Sequence, residues 1–198
     1  MVGEAQRSVS LSVFLMLRKP GAAGVGSCAD HINLWRMAMR AGKVISTAGS
    51  AAKAAKAREL GFEDVIDLTS EGLADGVRRI TAGKGVDIAI ESVGGTLTSE
   101  ALSSLSLGGV LITLGYSAGR KTTIDVTDLI WKGAQMVGYS LFAQSPTAIA
   151  TAWRDILPLI VGGSVKPIVE RVYSLGDKGE ALRHLIEDRP FGKIVVAG

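Results

Sequence analysis

Two glycine-rich turns near the start of the chain carry the residues best suited to bind phosphate groups. The first is Gly21–Ser27, and a turn of this kind, opening a helix, directs backbone N–H groups at an anion. The second follows the apolar run Lys43–Thr47 and reads Gly49-Ser50. Lys53 comes within one helical turn of it. Two consecutive strand-to-helix junctions of this kind are how a Rossmann sheet holds a dinucleotide, the first at its pyrophosphate and the second at its adenosine ribose.

The second turn also indicates which dinucleotide is bound. An acidic side chain at the end of such a strand would bind a free ribose 2′-hydroxyl. Thr47, Ser50 and Lys53 are hydroxyl and ammonium donors instead, and these suit a 2′-phosphate. The sequence therefore favours NADP(H) over NAD(H). The simpler alternatives are a tight turn without a cofactor at Gly24–Gly26 and a solvated lysine at Lys53.

The elements that must position these turns alternate between strand and helix. Apolar runs of four to nine residues read as strands, and apolar spacing of three and four between them reads as helices. This alternation predicts an α/β fold, a Rossmann-type doubly wound parallel sheet followed by a carboxyl-terminal helix and extra strands. The predicted strands are Val9–Leu17, Lys43–Thr47, Asp64–Asp67, Val86–Glu91, Val110–Leu114 and Gln135–Ser140. The predicted helices are Cys28–Met39, Ala51–Leu60, Glu71–Thr81, Leu97–Ser104 and Val126–Lys132.

The pattern changes after Ser140. A long helix, Pro146–Val161, is followed by two isolated strand candidates, Val165–Tyr173 and Lys193–Ala197, on either side of the helix Lys178–Glu187. These late strands show no obvious place in the first sheet. The sequence therefore divides into a dinucleotide-binding domain, residues 1–145, and a carboxyl-terminal part, residues 146–198.

Composition excludes several classes of protein. The 22 basic and 19 acidic residues leave a net charge of only +3, and aromatic residues make up 5%, which disfavours a nucleic-acid partner. No run reaches the length of a membrane helix. Cys28 is the single cysteine, so no intrachain disulfide can form and a cytoplasmic setting is expected. His31 and His184 are isolated in the sequence, and no metal site is expected.

Five motifs in order resemble one family, the zinc-independent, quinone-oxidoreductase-like branch of the medium-chain dehydrogenases/reductases. The resemblance runs from about Lys43 to the carboxyl terminus. It implies hydride delivery from NADPH to a quinone or activated alkene, in a homodimer paired through the edge strand. The motifs are Ser46-Thr47-Ala48-Gly49-Ser50 with Lys53, Glu91-Ser92-Val93-Gly94-Gly95, Leu114-Gly115-Tyr116-Ser117-Ala118-Gly119, Gly138-Tyr139-Ser140-Leu141-Phe142 and Phe191-Gly192-Lys193-Ile194-Val195.

The resemblance implies a role in cofactor binding for residues at each of these motifs, and it names no catalytic acid or base. The protein in such enzymes mainly orients the cofactor. The implied residues are Gly24, Val25 and Gly26 at the pyrophosphate; Gly49, Ser50 and Lys53 at the 2′-phosphate; Ser92, Val93 and Gly94 at the ribose; Gly115, Tyr116 and Ser117 near the nicotinamide; Leu141 and Phe142 at the carboxamide; and Arg189 and Lys193 closing over the cofactor.

The sequence departs from the family pattern in three places. The family has a catalytic domain ahead of the nucleotide domain, where this chain has about twenty residues, so a truncated form is expected. The glycine turn is one residue short, with Ala23 at the place of a glycine, which adds a Cβ where a phosphate approaches. The segment from Cys28 to Gly42 is longer than the family's first helix, and Leu68 replaces an aromatic residue.

Two classes of function follow, an NADPH-dependent quinone or enone reductase and a non-catalytic NADP-binding module. A third, an S-adenosylmethionine-dependent methyltransferase, would need an acid at the end of the second strand, where Thr47–Ser50 offers none. Short-chain dehydrogenase chemistry would need a lysine four residues after a tyrosine, which Tyr116, Tyr139 and Tyr173 lack.

Overall fold

The fold is that of a computed structural model, which describes residues 13–18, 41–165, 167–188 and 190–198. The predicted helix Cys28–Met39 and the turn Gly21–Ser27 lie outside these residues. The strands are β1 (Val13–Arg18), β2 (Ala41–Ala48), β3 (Asp64–Asp67), β4 (Val86–Glu91), β5 (Leu105–Thr113), β6 (Gln135–Gly138), β7 (Val169–Ser174) and β8 (Lys193–Ala197). The α-helices are α1 (Ala51–Glu59), α2 (Leu73–Thr81), α3 (Thr96–Ser103), α4 (Val126–Lys132), α5 (Pro146–Val161) and α6 (Lys178–Arg183).

Six strands form one sheet in the order β3-β2-β1-β4-β5-β6. This is the strand order of the Rossmann fold. Strands β1 to β3 extend the sheet to one side, and strands β4 to β6 extend it to the other, so the order of addition reverses between β1 and β4. The pairs β2–β3, β4–β5 and β5–β6 are parallel, as the alternation of strands and helices predicts.

The prediction of parallel pairing is wrong for the first strand. β1 occupies the centre of the sheet but runs antiparallel to β2 and to β4. The apolar pattern predicts that a strand is buried, but a central strand can satisfy its backbone hydrogen bonds in either direction. Arg18, at the carboxyl end of β1, therefore lies opposite Ala41, at the beginning of β2.

Helix boundaries follow from capping residues. The Ser50 side chain accepts a hydrogen bond from the backbone N–H of Lys53 at the start of α1. Asp125 caps α4 in the same way, and Gly133 ends it in the left-handed conformation at φ +57°. Ser145 caps α5, with proline in the first turn. These are the residue types that satisfy the unpaired amides and carbonyls of a helix end.

The core consists of two apolar clusters that together line the six-stranded sheet. One cluster joins the sheet to α2 and α3, and the other joins it to α1. The fully buried side chains of the first include Ile45, Ile66, Leu73, Leu97, Leu102 and Leu111. The second contains Val44, Ala48, Ala54, Ala57, Phe62, Val65, Ile88 and Ile90, with Ile112, Ile168 and Phe191 packed against it.

The strands β7 and β8 form a separate two-stranded parallel sheet, in agreement with the expectation that they do not belong to the first sheet. The domain boundary after residue 145 stays a prediction. Helix α5 has no buried residue, and Trp153 on it is 58% exposed. Within the described residues, no helix combines the length and the apolar character needed to cross a bilayer.

Several elements differ in extent from their predictions. The first strand is Val13–Arg18 rather than Val9–Leu17, and β5 begins at Leu105 rather than Val110. The earlier start of β5 arises from a pairing of Leu105 with Val86, after which the register shifts. The strand β7 is Val169–Ser174.

Candidate cofactor-binding site

The predicted site residues follow strands whose carboxyl ends lie at one edge of the sheet. Glu91, at the end of β4, pairs with Thr113 of β5, and Thr113 pairs with Gly138 of β6. The end of β2 is level with that of β4, because across β1 Phe14 pairs with Ser46 and Val13 with Glu91. The turns after β2, β4 and β5 are thus neighbours along the edge where open parallel sheets bind ligands.

The turn after β2 has the features of an anion site. Gly49 is buried, Ser50 and Lys53 are half-buried, and the first turn of α1 contains no acidic residue. Ser50 Oγ accepts from the Lys53 amide at 3.3 Å, so its hydroxyl proton can still be donated to a ligand. The positive end of the helix dipole adds to this preference for an anion.

A buried carboxylate shapes the loop after β4. Glu91 is fully buried, and its Oε1 accepts hydrogen bonds from the backbone N–H groups of Val93 and Gly94, the latter at 2.7 Å. Its Oε2 accepts from Thr98 Oγ1 at 2.8 Å and from Thr113 Oγ1 at 3.3 Å. With four donors, this carboxylate holds the loop rather than performing chemistry.

Glu91 belongs to one of the five family motifs but has no predicted role in the site. A carboxylate that ends an apolar strand and precedes Ser-Val-Gly-Gly is the signal that could have identified it. A carboxylate in a buried strand is tolerated only where hydrogen-bond donors satisfy its oxygens.

The loops after β4 and β5 are joined to one another. The Ala118 amide donates to the Val93 carbonyl at 2.7 Å, and the Gly95 amide donates to the Gly119 carbonyl at 3.1 Å. A Cβ on Gly115 would overlap the carbonyl oxygen of Ser92. Only glycine permits this approach, and the two loops form one continuous wall.

A Cβ on Gly94, which has φ +80°, would likewise overlap the carbonyl oxygen of Gly119. Gly94 and Gly115 thus both face the opposite loop. Their predicted contacts with ribose and nicotinamide remain untested, but their need for glycine already follows from the packing of the two loops.

The residues predicted at the nicotinamide end are largely exposed. Tyr116 is 70% exposed, with the guanidinium of Arg120 at 5.9 Å from its ring centroid. Ser117 is also exposed. In the 3-10 turn Leu141–Ala143 after β6, Leu141 is 54% exposed and Phe142 is 100% exposed. These side chains lie beside the strand-end edge without a covering layer among the described residues.

Of the two predicted site residues near the carboxyl terminus, the described residues include Lys193 but not Arg189. Lys193 is the first residue of β8 and is exposed. The residue before its loop, Arg189, lies outside the described residues, as do Gly24, Val25 and Gly26. β1 ends at the edge of the sheet where β2 and β4 begin.

A separate cavity is lined by residues of β7, of α6 and of the π-helical turn His184–Asp188 that follows α6. Tyr173, which is buried, has its hydroxyl 2.8 Å from Nδ1 of His184. The other lining residues are Arg171, Glu180, Arg183 and Asp188. It contains none of the predicted site residues. In the described part of the chain, His, Cys, Asp and Glu side chains do not gather in groups of three or more that could hold a metal ion.

Comparison with known proteins places this arrangement in a family. The chain matches the zinc-binding dehydrogenase family over residues 24–160. A quinone oxidoreductase of Salmonella typhimurium is 30% identical to it over 203 residues, which cover 90% of this chain and 59% of that protein. Quinone oxidoreductase 1 of Escherichia coli is 29% identical over 197 residues, with the same two coverages of 90% and 59%. The chain spans about half the length of the curated relatives it matches.

A solved structure confirms the predicted fold class. Escherichia coli quinone oxidoreductase complexed with NADPH matches with a TM-score of 0.69 and 28% identity, over 83% of this chain and 52% of that chain. The strand order and the joined strand-end loops fit the same Rossmann architecture. The chain therefore belongs to the zinc-binding dehydrogenase family, in the quinone-oxidoreductase-like branch of the medium-chain dehydrogenases/reductases, of which it carries the nucleotide-binding part.

Proposed function

We propose that the chain binds NADPH along the carboxyl edge of its sheet and serves an NADPH-dependent reductase of the quinone oxidoreductase type. The observation that carries the proposal is the alignment of the Gly49–Lys53 turn with the joined loops after β4 and β5. The NADPH complex of the Escherichia coli relative supports the same choice of cofactor.

In this proposal, different groups of residues contact different parts of the cofactor. Ser50 and Lys53, with the amides of the first turn of α1, bind the ribose 2′-phosphate. The wall formed by Ser92–Gly95 and Gly115–Gly119 borders the ribose and the nicotinamide. Lys193 approaches from the loop before β8. This set offers hydrogen bonds and positive charge to a phosphorylated ligand and supplies orientation rather than proton transfer.

The proposed reaction is hydride transfer to a quinone or an activated alkene, in the cytoplasm. NADPH, when bound, supplies the hydride. The chain's own contribution is to hold the nicotinamide end beside Tyr116 and Ser117. The similarity to quinone oxidoreductases of Salmonella typhimurium and Escherichia coli supports this acceptor class.

A second candidate is an NADP-binding module without turnover. Exposure at the nicotinamide end favours it, because Phe142 is fully exposed and Tyr116 is mostly exposed. Hydride transfer is helped by a closed, water-free site.

The proposal also includes a homodimer. The edge strand β6 is exposed along its whole length, and Met136 and Val137 on it are apolar. An uncovered edge strand of this kind readily pairs with another chain. Pairing of two β6 strands would cover both edges at once, as a two-fold axis allows.

The experiment that tests the proposed function is titration of the purified chain with NADPH and NADH by calorimetry, followed by an assay with a model quinone. Preferential binding of NADPH with oxidation of NADPH by the quinone would support the reductase. Binding without oxidation would favour the module. Absence of binding by either nucleotide would contradict both.

A further inference from the structure

The loop before β8 is held by a single carboxylate of β7. Glu170 Oε2 accepts hydrogen bonds from the backbone N–H of Phe191 at 2.9 Å and of Gly192 at 3.0 Å. The next amide, that of Lys193, donates to the Ile168 carbonyl at 2.7 Å. Three consecutive amides of this loop are thus satisfied by β7 and the residue just before it.

Two adjacent amides that converge on one oxygen form the kind of concavity that binds an anion. Here the anion is a side chain of the same protein, and its charge strengthens both hydrogen bonds. Gly192 is required at this place, because a Cβ would lie 2.7 Å from the Ile168 carbonyl oxygen and 3.0 Å from the Glu170 amide nitrogen. A side chain at position 192 would therefore move the loop away from the carboxylate.

The same loop contacts the main sheet on its other side. Phe191 packs against the apolar cluster that contains Val44 and Ala48 of β2 and Ala54 of α1. β2 and α1 flank the turn that carries Ser50 and Lys53. The loop is thus fixed at two points, by Glu170 to β7 and by Phe191 to the elements beside the proposed phosphate site.

We propose that Glu170 is a positioning residue for cofactor binding: it fixes the loop 190–192 so that Lys193 leaves the loop in the orientation that meets the cofactor. This inference rests on the proposed function, since Lys193 acts only if NADPH binds at the strand-end edge. Glu170 itself carries a negative charge and does not contact the phosphates. Its effect passes through the loop backbone to Lys193.

Substitutions of Glu170 distinguish the positioning of the loop from a general effect of negative charge on NADPH binding. Glu170→Ala is expected to raise the Kd for NADPH roughly tenfold, because two amides lose their acceptor and the loop must be ordered on binding. Glu170→Gln keeps an acceptor oxygen at the same distance and should retain most of the affinity. Glu187→Ala is the matched control, since it also removes one exposed carboxylate from the carboxyl-terminal part and should bind NADPH as the unchanged chain does.

The experiment combines NADPH titration with hydrogen exchange of the Phe191 and Gly192 amides in these variants. Faster exchange of both amides in Glu170→Ala, together with weakened binding and recovery in Glu170→Gln, is the expected result. In the double variant Glu170→Ala, Lys193→Ala, the loss should not exceed that of Lys193→Ala alone, because both changes remove one interaction.

Two results would overturn the inference while leaving the proposed function intact. One is binding of NADPH by Glu170→Ala as tight as by Glu187→Ala. The other is additive losses in the double variant, which would show that Glu170 does not act through Lys193. If the unchanged chain fails to bind NADPH, the proposed function fails first and the positioning role with it.

Discussion

The backbone amide of Ala118 donates a 2.7 Å hydrogen bond to the carbonyl oxygen of Val93. This bond joins two loops that come from different strands of the sheet. It is accompanied by the bond from the Gly95 amide to the Gly119 carbonyl and by a parallel bridge between Gly94 and Gly119. The wall of the proposed site is thus a small extension of the sheet beyond its strand ends, and changes in either loop should affect both.

Substitution of Gly115 by alanine should separate the two loops. The added Cβ would overlap the Ser92 carbonyl, and relieving such a clash costs about 1–3 kcal/mol. A lowered melting temperature and a higher Kd for NADPH are expected, measured by calorimetry. Gly179→Ala is the control, because a Cβ there meets nothing within 4 Å. A Gly115→Ala chain with unchanged melting and binding would disprove the close approach.

Removal of the Glu91 carboxylate should destabilise the fold strongly. Glu91→Ala would leave two buried amides and two threonine hydroxyls without their acceptor, at a cost of about 3 kcal/mol. Glu91→Gln preserves one oxygen for the amides, and its amide group can donate to hydroxyls, so its cost should be about 1 kcal/mol. Urea unfolding monitored by circular dichroism measures both. Equal losses in the two variants would argue against the hydrogen-bonding role.

Removal of the ammonium group at position 53 should change the choice of nucleotide. Lys53→Ala is expected to raise the Kd for NADPH about tenfold and to leave that for NADH unchanged, because only NADPH carries the 2′-phosphate. Lys56→Ala, one turn along the same helix and paired with Glu59 at 3.8 Å, is the control. If the two nucleotides lose affinity equally, the phosphate assignment of Lys53 is wrong.

Acid should destabilise the contact between α3 and α4. Hydrogen bonds from Lys132 and then from Ser103 lower the pKa of Asp128; the Ser103 hydroxyl lies 2.6 Å from Asp128 Oδ2, and Lys132 Nζ lies 2.8 Å from Oδ1. A carboxyl with a lowered folded-state pKa stabilises fully above the unfolded value of about 3.9 and loses this contribution as the pH falls through the folded value.

Asp128→Asn should therefore flatten the acid limb of the unfolding free energy, measured by urea titrations below about pH 5. Asp75→Asn, which removes an exposed carboxylate paired with Arg78, should leave that limb unchanged. An equally steep acid limb in Asp128→Asn would assign the pH dependence to other carboxylates.

The proposed dimer should depend on outward-facing amides of β6. The Tyr139 amide donates inward to the Thr113 carbonyl, and the direction alternates along a strand, so the Met136 amide faces away from β5. Met136→Pro removes this donor and should yield monomers in sedimentation velocity while β5–β6 pairing persists. Dimers in this variant would locate the interface elsewhere, and a monomeric unchanged chain would contradict the dimer itself.

The predicted helices that agree best with the structure are those with local signals at both ends. Helices α4 and α5 have their predicted bounds, because Asp125 and Ser145 cap their starts and a glycine follows each end. The prediction is wrong for the direction of β1, since apolar residues mark burial and not orientation. An uninterrupted apolar run such as Val13–Leu17 reads the same from either end.

The polar contacts that shape the site could not be predicted in the same way. Glu170 accepts hydrogen bonds from amides 21 and 22 residues further along the chain. The Thr113 hydroxyl donates to Glu91, 22 residues before it. Only the folded backbone brings such pairs together. The sequence does predict the turn at Gly49–Lys53, because there the strand, the cap and the cation are contiguous.

The position of β1 determines the order in which the sheet can be completed during synthesis. β1 pairs with β2 on one side, where Phe14 lies opposite Ser46, and with β4 on the other, where Val13 lies opposite Glu91, so only its β4-facing edge must wait for the later residues to leave the ribosome. The parallel pairing of β2 with β3 spans only the α1 connection and can form earlier. Long-range pairing is slow, and an apolar strand left waiting is prone to aggregate. We therefore expect the pairing of β1 with β4 to gain protection after that of β1 with β2, and chaperones to bind the nascent chain at Val13–Arg18 until β4 has been made.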